Sequence, residues 1–168
     1  MNAITAPVLI DAHHHLWDLA ERPQPWLDNP ALATIRRTFS PDDLRATATR
    51  PIAGRRLHST VAVQCVPDVP ETEDLLALAE REPLIGAVVG SADLTSPGIG
   101  DLLDRLLAGP GGTYLRSLRH LVQGETDPEW HGSRRADVTA AGRTFEAIRT
   151  DFTDPEAVRA LGVDLAGR

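Results

Sequence analysis

The stretch Asp11-Ala12-His13-His14-His15-Leu16-Trp17-Asp18 gathers three imidazoles and two carboxylates in one short run. It follows the apolar run Val8-Leu9-Ile10, so it reads as the end of a short buried strand. Side chains alternate along a strand, which places Asp11, His13 and His15 on one face and Ala12 and His14 on the other. Two imidazoles one strand repeat apart, with a carboxylate behind them, can meet one metal ion or one substrate oxygen. The same spacing also fits three loop histidines, each hydrogen-bonded and doing no chemistry. The strand before the run and Trp17-Asp18 after it favour the first reading.

The elements that must position these residues follow in order. Arg22 to Pro30 carries three prolines and Trp26, and reads as a long loop without regular structure. Trp26 fits equally a contact to a ligand and a plug that packs the loop down. Ser40-Pro41-Asp42-Asp43-Leu44 is a helix start, with serine as cap, proline in the first turn and acids beside it. That helix is expected to run to about Arg50, where Pro51 stops it. A second strand is expected over residues 58–66, a helix from Pro70 through Glu82, and a third strand over 84–90. A helix over 99–108 then ends at Gly109-Pro110-Gly111-Gly112, and a fourth strand follows over 114–121. Strands and helices alternating in this way mean parallel strands covered by crossovers, an α/β protein. The pattern alone does not choose between an open doubly wound sheet and a barrel. No Gly-x-Gly-x-x-Gly follows the first strand, so a dinucleotide fold has no support.

Composition narrows the partners. The 168 residues are 42% hydrophobic and 24% charged, with a net charge of −7, as expected of one globular domain. No basic tract with interleaved aromatics argues for nucleic acid. No apolar run approaches the ~20 residues of a membrane span, and Met1-Asn2-Ala3-Ile4-Thr5 lacks the start of a secretory signal. One cysteine, Cys65, fits a reducing compartment, and a cytoplasmic location is expected.

In parallel α/β proteins, ligands collect at the carboxyl ends of the strands. Those ends offer His13 and His15 from the first strand, Gln64 from the second with Asp68 after it, Asp93 after the third, and Arg119-His120 from the fourth. Each also has a local explanation: a satisfied backbone for Gln64, turn caps for Asp68 and Asp93, a surface ion pair for Arg119.

Taken together, Ile-Asp-Ala-His-His-His-Leu-Trp-Asp (10–18), Arg-Pro-Gln-Pro-Trp-Leu (22–27), the Phe39-Ser-Pro-Asp-Asp-Leu44 helix start, Val63-Gln64 with Pro67 to Glu71, Val89-Gly90 with Asp93-Leu94, and Leu118-Arg-His120 resemble the amidohydrolase-related hydrolases. The subgroup resembled holds L-fuconolactonase-like and L-rhamnonolactonase-like sugar lactonases, and the resemblance covers residues 8–130. It implies a (β/α)₈ barrel with His13 and His15 at the top of the first strand, acting in catalysis and holding any metal. It implies opening of a sugar-lactone ring by an activated water. Trp26, Gln64, Asp93, Arg119 and His120 are then the expected substrate contacts, while His14 is structural. One divalent, zinc-like metal held by the imidazoles could activate the water. Metal-free polarisation of the carbonyl by the imidazoles and Arg119 would serve the same end.

A barrel of this kind typically takes ~250 residues and eight strands, and about four βα units are present. The family's later landmarks, a histidine followed by Gly-Lys-Pro and a closing Ser-Asp-Trp-Pro with the general base, have no match here. The expectation is therefore a partial TIM barrel over residues 1–130 with its C-terminal half missing. Residues 131–168 are expected to form an atypical, weakly helical or disordered tail. Such a chain would be a truncated lactonase, inactive alone. Open barrel edges would favour self-association, which could complete one mouth with Asp11, Asp68 or Asp93 as base. A non-catalytic metal- or ligand-binding half-barrel that acts only in an oligomer is the alternative.

Overall fold

The computed structural model describes residues 8–94 and 96–119. Strands β1 (Val8–His14), β2 (Arg56–Val63), β3 (Ile85–Gly90) and β4 (Leu115–Leu118) pair in parallel, in the order β1-β2-β3-β4. Helices α1 (Pro41–Ala48), α2 (Val69–Ala79) and α3 (Ile99–Ala108) occupy the three crossovers. Each new strand adds beside the last, with no reversal of direction along the sheet. That is the winding of a barrel wall, because a doubly wound sheet reverses at a switch point. The choice left open by the alternation of elements is thus settled as a partial (β/α)₈ barrel. The expected boundary near residue 130 and the tail lie outside the described residues.

Local signals explain the elements. At the head of α1 the Asp43 carboxylate reaches back to accept from the Ser40 N–H at 2.9 Å and the Ser40 hydroxyl at 3.1 Å, which satisfies a helix end otherwise left open. The chain enters β4 through Gly111, at φ +66°, where an added Cβ would lie 1.8 Å from the Leu76 carbonyl oxygen. Only glycine fits there, on both counts. Gly90 lets α2 close on β3: a Cβ would meet Thr72 Cγ2 at 2.3 Å, and the Thr72 hydroxyl accepts from the Ser91 N–H at 2.9 Å.

The core lies between sheet and helices. Leu57 and Ala62 of β2 with Ile85 and Val88 of β3 pack on Leu44 of α1, Leu75, Leu76 and Ala79 of α2, and Leu106 of α3. At the amino ends of the strands, buried Glu82 pairs with Arg45 of α1 and accepts from the Leu84 N–H at 3.2 Å. No helix among the described residues is long and apolar enough to cross a membrane.

Three expectations need correction. The proline-rich stretch contains two 3₁₀ helices, Pro25–Asp28 and Pro30–Ile35, each opened by a proline. A proline at the first helical position costs nothing, since that N–H has no partner in the helix. Second, β1 does not alternate cleanly. Asp11 pairs with Thr60 and His14 with Ala62, so three steps on β1 oppose two on β2. This bulge puts Asp11 on the face of His14, away from His13 and His15. Third, β1 is not uniformly buried: Ile10 is 59% exposed.

Candidate active site

The histidine pair is built at the carboxyl end of β1 and held by β2. The Nε2 atoms of His13 and His15 stand 3.1 Å apart, with the ring centroids 4.8 Å apart and the planes near perpendicular. His15 Nδ1 lies 2.8 Å from the Val63 carbonyl oxygen. A carbonyl only accepts, so Nδ1 carries the proton and the lone pair of His15 sits on Nε2, aimed at His13. Burial, as the largest cause, holds the His15 pKa below its ordinary value, with the Val63 bond opposing and the charges of His13 and Arg119 adding to the depression. His15 is therefore a neutral imidazole at neutral pH.

Arg119 reaches this place from the end of β4. Its N–H donates to the Gly90 carbonyl at 2.9 Å, which prolongs the β3–β4 ladder. Its Nη2 donates to the Gln64 carbonyl at 3.0 Å. Gln64 in turn donates its N–H to the Val89 carbonyl at 2.9 Å. The ends of β2, β3 and β4 are thus tied into one platform beside His15. Among the described residues, Arg119 Nε and both amide atoms of the fully buried Gln64 have no hydrogen-bond partner.

The remaining expected residues sit on β1 and on the segments that follow the strands. Trp26 donates its indole N–H to the Gln24 side-chain oxygen at 2.7 Å and meets Trp17 edge-on at 5.4 Å. Trp17 meets Phe39 at 4.9 Å, and the Arg37 guanidinium covers Phe39 at 3.6 Å. The plug reading of Trp26 describes what it touches. Asp93 sits exposed in the loop after β3, its backbone carbonyl accepting from the Ser96 N–H. Asp68 precedes α2 and pairs with Arg22 at 3.2 Å, and Arg22 also holds Asp74 at 2.9 Å. His14 lies on the opposite face, and burial lowers its pKa while Asp11 opposes. It lines a groove of about 740 Å³ between β1 and α1, with Leu9, Phe39 and Leu44. His120 lies outside the described residues.

Two imidazole nitrogens 3.1 Å apart can both touch one ion, since Zn–N bonds are about 2.0–2.1 Å. The donor chemistry suits such an ion, and the Nδ1–carbonyl bond is the partner that metal-bound histidines use. The pair fits two positions of a metal site. No cluster of three or more His, Cys, Asp or Glu able to hold a metal occurs among the described residues.

One residue of consequence escaped the sequence reading. Glu71, in the first turn of α2, is buried, and its two oxygens accept from Cys65 N at 3.0 and 2.9 Å and from Val66 N at 3.0 Å. Its signals in the sequence are its place in the helix opening Pro70-Glu71-Thr72-Glu73 and in the Pro67 to Glu71 segment of the family resemblance, neither of which marks it as a site residue.

A barrel wall whose strand ends carry a His-x-His pair and an arginine presents a candidate site where such folds bind their ligands. No family model matches the chain. It is 35% identical over 121 residues to the L-fucono-1,5-lactonase of Burkholderia ambifaria, covering 72% of this chain and 39% of the relative. It is 36% identical over 118 residues to that of Burkholderia multivorans, covering 70% and 37%. The chain thus spans about two fifths of the length of these curated relatives. Among solved structures, an amidohydrolase from Burkholderia multivorans with bound HEPES superposes with a TM-score of 0.64 at 28% identity. A zinc-bound crystal form superposes at 0.63 and 30%. Each match covers 80% of this chain and 44% of the other. The described residues match the N-terminal half of an amidohydrolase-related barrel, and the curated relatives they resemble are L-fucono-1,5-lactonases.

Proposed function

We propose that this half-barrel binds sugar lactones and belongs to an enzyme that opens their ring with an activated water. The observation that carries the reading is the convergence of His13 Nε2 and His15 Nε2 beside the Arg119 platform. Ring opening needs a nucleophilic water and a stabilised oxyanion. Arg119 can steady the carbonyl oxygen as charge grows on it. Gln64, Asp93 and His120 are proposed to contact the substrate's hydroxyls, with Trp26 as wall of the same mouth. His13 and His15 would hold a divalent metal, which when bound lowers the pKa of water and polarises the carbonyl. The relatives' names and the zinc in one neighbour support this reading. The buried Cys65 thiol supports a reducing, cytoplasmic setting, and the exposed Ile10 of the edge strand β1 supports self-association.

We place the general base outside the described residues, so the 168-residue chain alone is expected to bind lactone without turnover. Calorimetry with L-fucono-1,5-lactone and a hydrolysis assay test this together. Binding that is lost in Arg119→Ala and His13→Ala/His15→Ala, with no turnover above the double-variant control, is expected. Turnover above that control would overturn the inactivity. No lactone binding at millimolar concentration would overturn the lactonase reading itself.

A further inference from the structure

We propose that Glu71 is a positioning residue of the histidine site, whose carboxylate holds residues 65 and 66 and through them the Val63 carbonyl that orients His15. The inference rests on the reading that His13 and His15 are the working centre. It does not need that centre to act on a lactone.

The connection is short and runs through directional bonds. Both Glu71 oxygens accept from the Cys65 N–H, and one accepts also from the Val66 N–H, all within 2.9–3.0 Å. These two residues follow Gln64, whose N–H makes the last bond to β3, on the Val89 carbonyl at 2.9 Å, just beyond the end of β2 at Val63. The Val63 carbonyl, two residues before Cys65, takes the His15 Nδ1 proton. The Gln64 carbonyl, one residue before, takes the Arg119 guanidinium. Cys65 closes the loop from the other side, its thiol donating to the Leu16 carbonyl at 3.7 Å, next to His15 in the chain. One buried carboxylate therefore fixes the backbone that presents both acceptors of the site.

Glu71 is 4% exposed, and among the described residues its carboxylate makes no ion pair and accepts from the Cys65 and Val66 N–H groups. Burial raises its pKa, and the backbone bonds oppose that rise. An acid kept in so costly a place, when a glutamine or threonine would cap the turn, is explained by what its two oxygens hold. An amide in its place offers one acceptor and turns an N–H₂ toward an N–H.

The test uses the full chain, with imidazole ¹H–¹⁵N spectra and calorimetric titration of zinc chloride. In Glu71→Gln the His15 Nδ1 proton is expected to exchange with water about tenfold faster and zinc to bind about tenfold more weakly, as for outer partners of metal-bound histidines. Glu71→Asp, with the charge one methylene short, is expected to give a smaller change in the same direction. Glu82→Gln is the control: an equally buried acid at the other end of the sheet, whose loss lowers Tm and should leave both site readings unchanged. A folded Glu71→Gln with exchange and zinc affinity within twofold of the parent overturns the proposal, and so does a Glu82→Gln that shifts them equally. If Glu71→Gln does not fold, the parent protein decides. There the His15 Nδ1 proton and the Cys65 and Val66 amides are expected to exchange together, and a ring proton exchanging more than tenfold faster than those amides overturns the proposal. These readings do not pass through lactone turnover. A protein that shows the imidazole effect but binds no lactone keeps Glu71's role and loses the lactonase reading.

Discussion

Glu71 and Glu82 are both buried carboxylates, 4% and 2% exposed, at opposite ends of one sheet. Glu82 lies at the amino ends of the strands, answered by a cation, Arg45, and by one backbone N–H. Glu71 lies at the carboxyl ends, answered by N–H groups of a loop. The first ties helix α1 to the start of β3 and carries no consequence beyond stability. The second shapes a loop whose carbonyls hold His15 and Arg119. In a barrel wall the amino ends serve the fold and the carboxyl ends serve the chemistry. The same side chain is thus spent differently at each end.

That contrast can be broken or sharpened by substitutions at each end. The largest effect is expected at the amino end, in Gly111→Ala. The left-handed backbone and the collision with the Leu76 carbonyl together should cost about 3 kcal/mol or more, read by urea unfolding. A loss under about 1 kcal/mol would mean the turn relaxes. Next is His15→Ala at the carboxyl end, expected to abolish zinc binding in calorimetry while Tm moves only a few degrees. A large loss of stability there would erase the division between the two ends. Glu82→Ala should lower Tm by about 5 °C, modestly because Arg45 is largely solvated and keeps Asp42 as a partner.

The smallest effect is expected from pH, at the head of α1. The Ser40 backbone bond, then Arg37, hold the Asp43 carboxyl below its ordinary pKa of 3.8. The folded pKa is the lower one, so the unfolded chain binds more protons in that range. The stabilisation is complete above the ordinary carboxylate value and is lost as pH falls through the folded one. The Tm advantage of the parent over Asp43→Asn should therefore be present at pH 7 and vanish below the carboxylate range. A gap that persists in strong acid would assign it to packing.

What could be read from the chain follows the range of the forces involved. Ser40, Pro41 and Asp43 announce α1 because a helix cap is made within four residues. Apolar runs announced β2 and β3, since period and burial are local properties. The His-x-His spacing was legible for the same reason. The bulge in β1 was not, because it exists only against β2, and it moved Asp11 to the face of His14. Trp26 was ambiguous because its ring partner, Trp17, lies 9 residues away on a separate segment. Glu71 was invisible as a site residue because the alternative, a simple helix-start acid, has the same sequence signature.

By itself the sequence determined the α/β alternation, the helix starts, and the presence of two imidazoles and an arginine at strand ends. The tertiary structure alone decided that the sheet winds as a barrel wall. It also decided that His15 bonds a carbonyl 48 positions away and that Arg119 bonds one 55 positions away. Such bonds depend on register between parallel strands, which the helical crossovers and the packing of their apolar faces set cooperatively. No local pattern encodes that register, so the chemistry was legible as residue types and became a site only on folding.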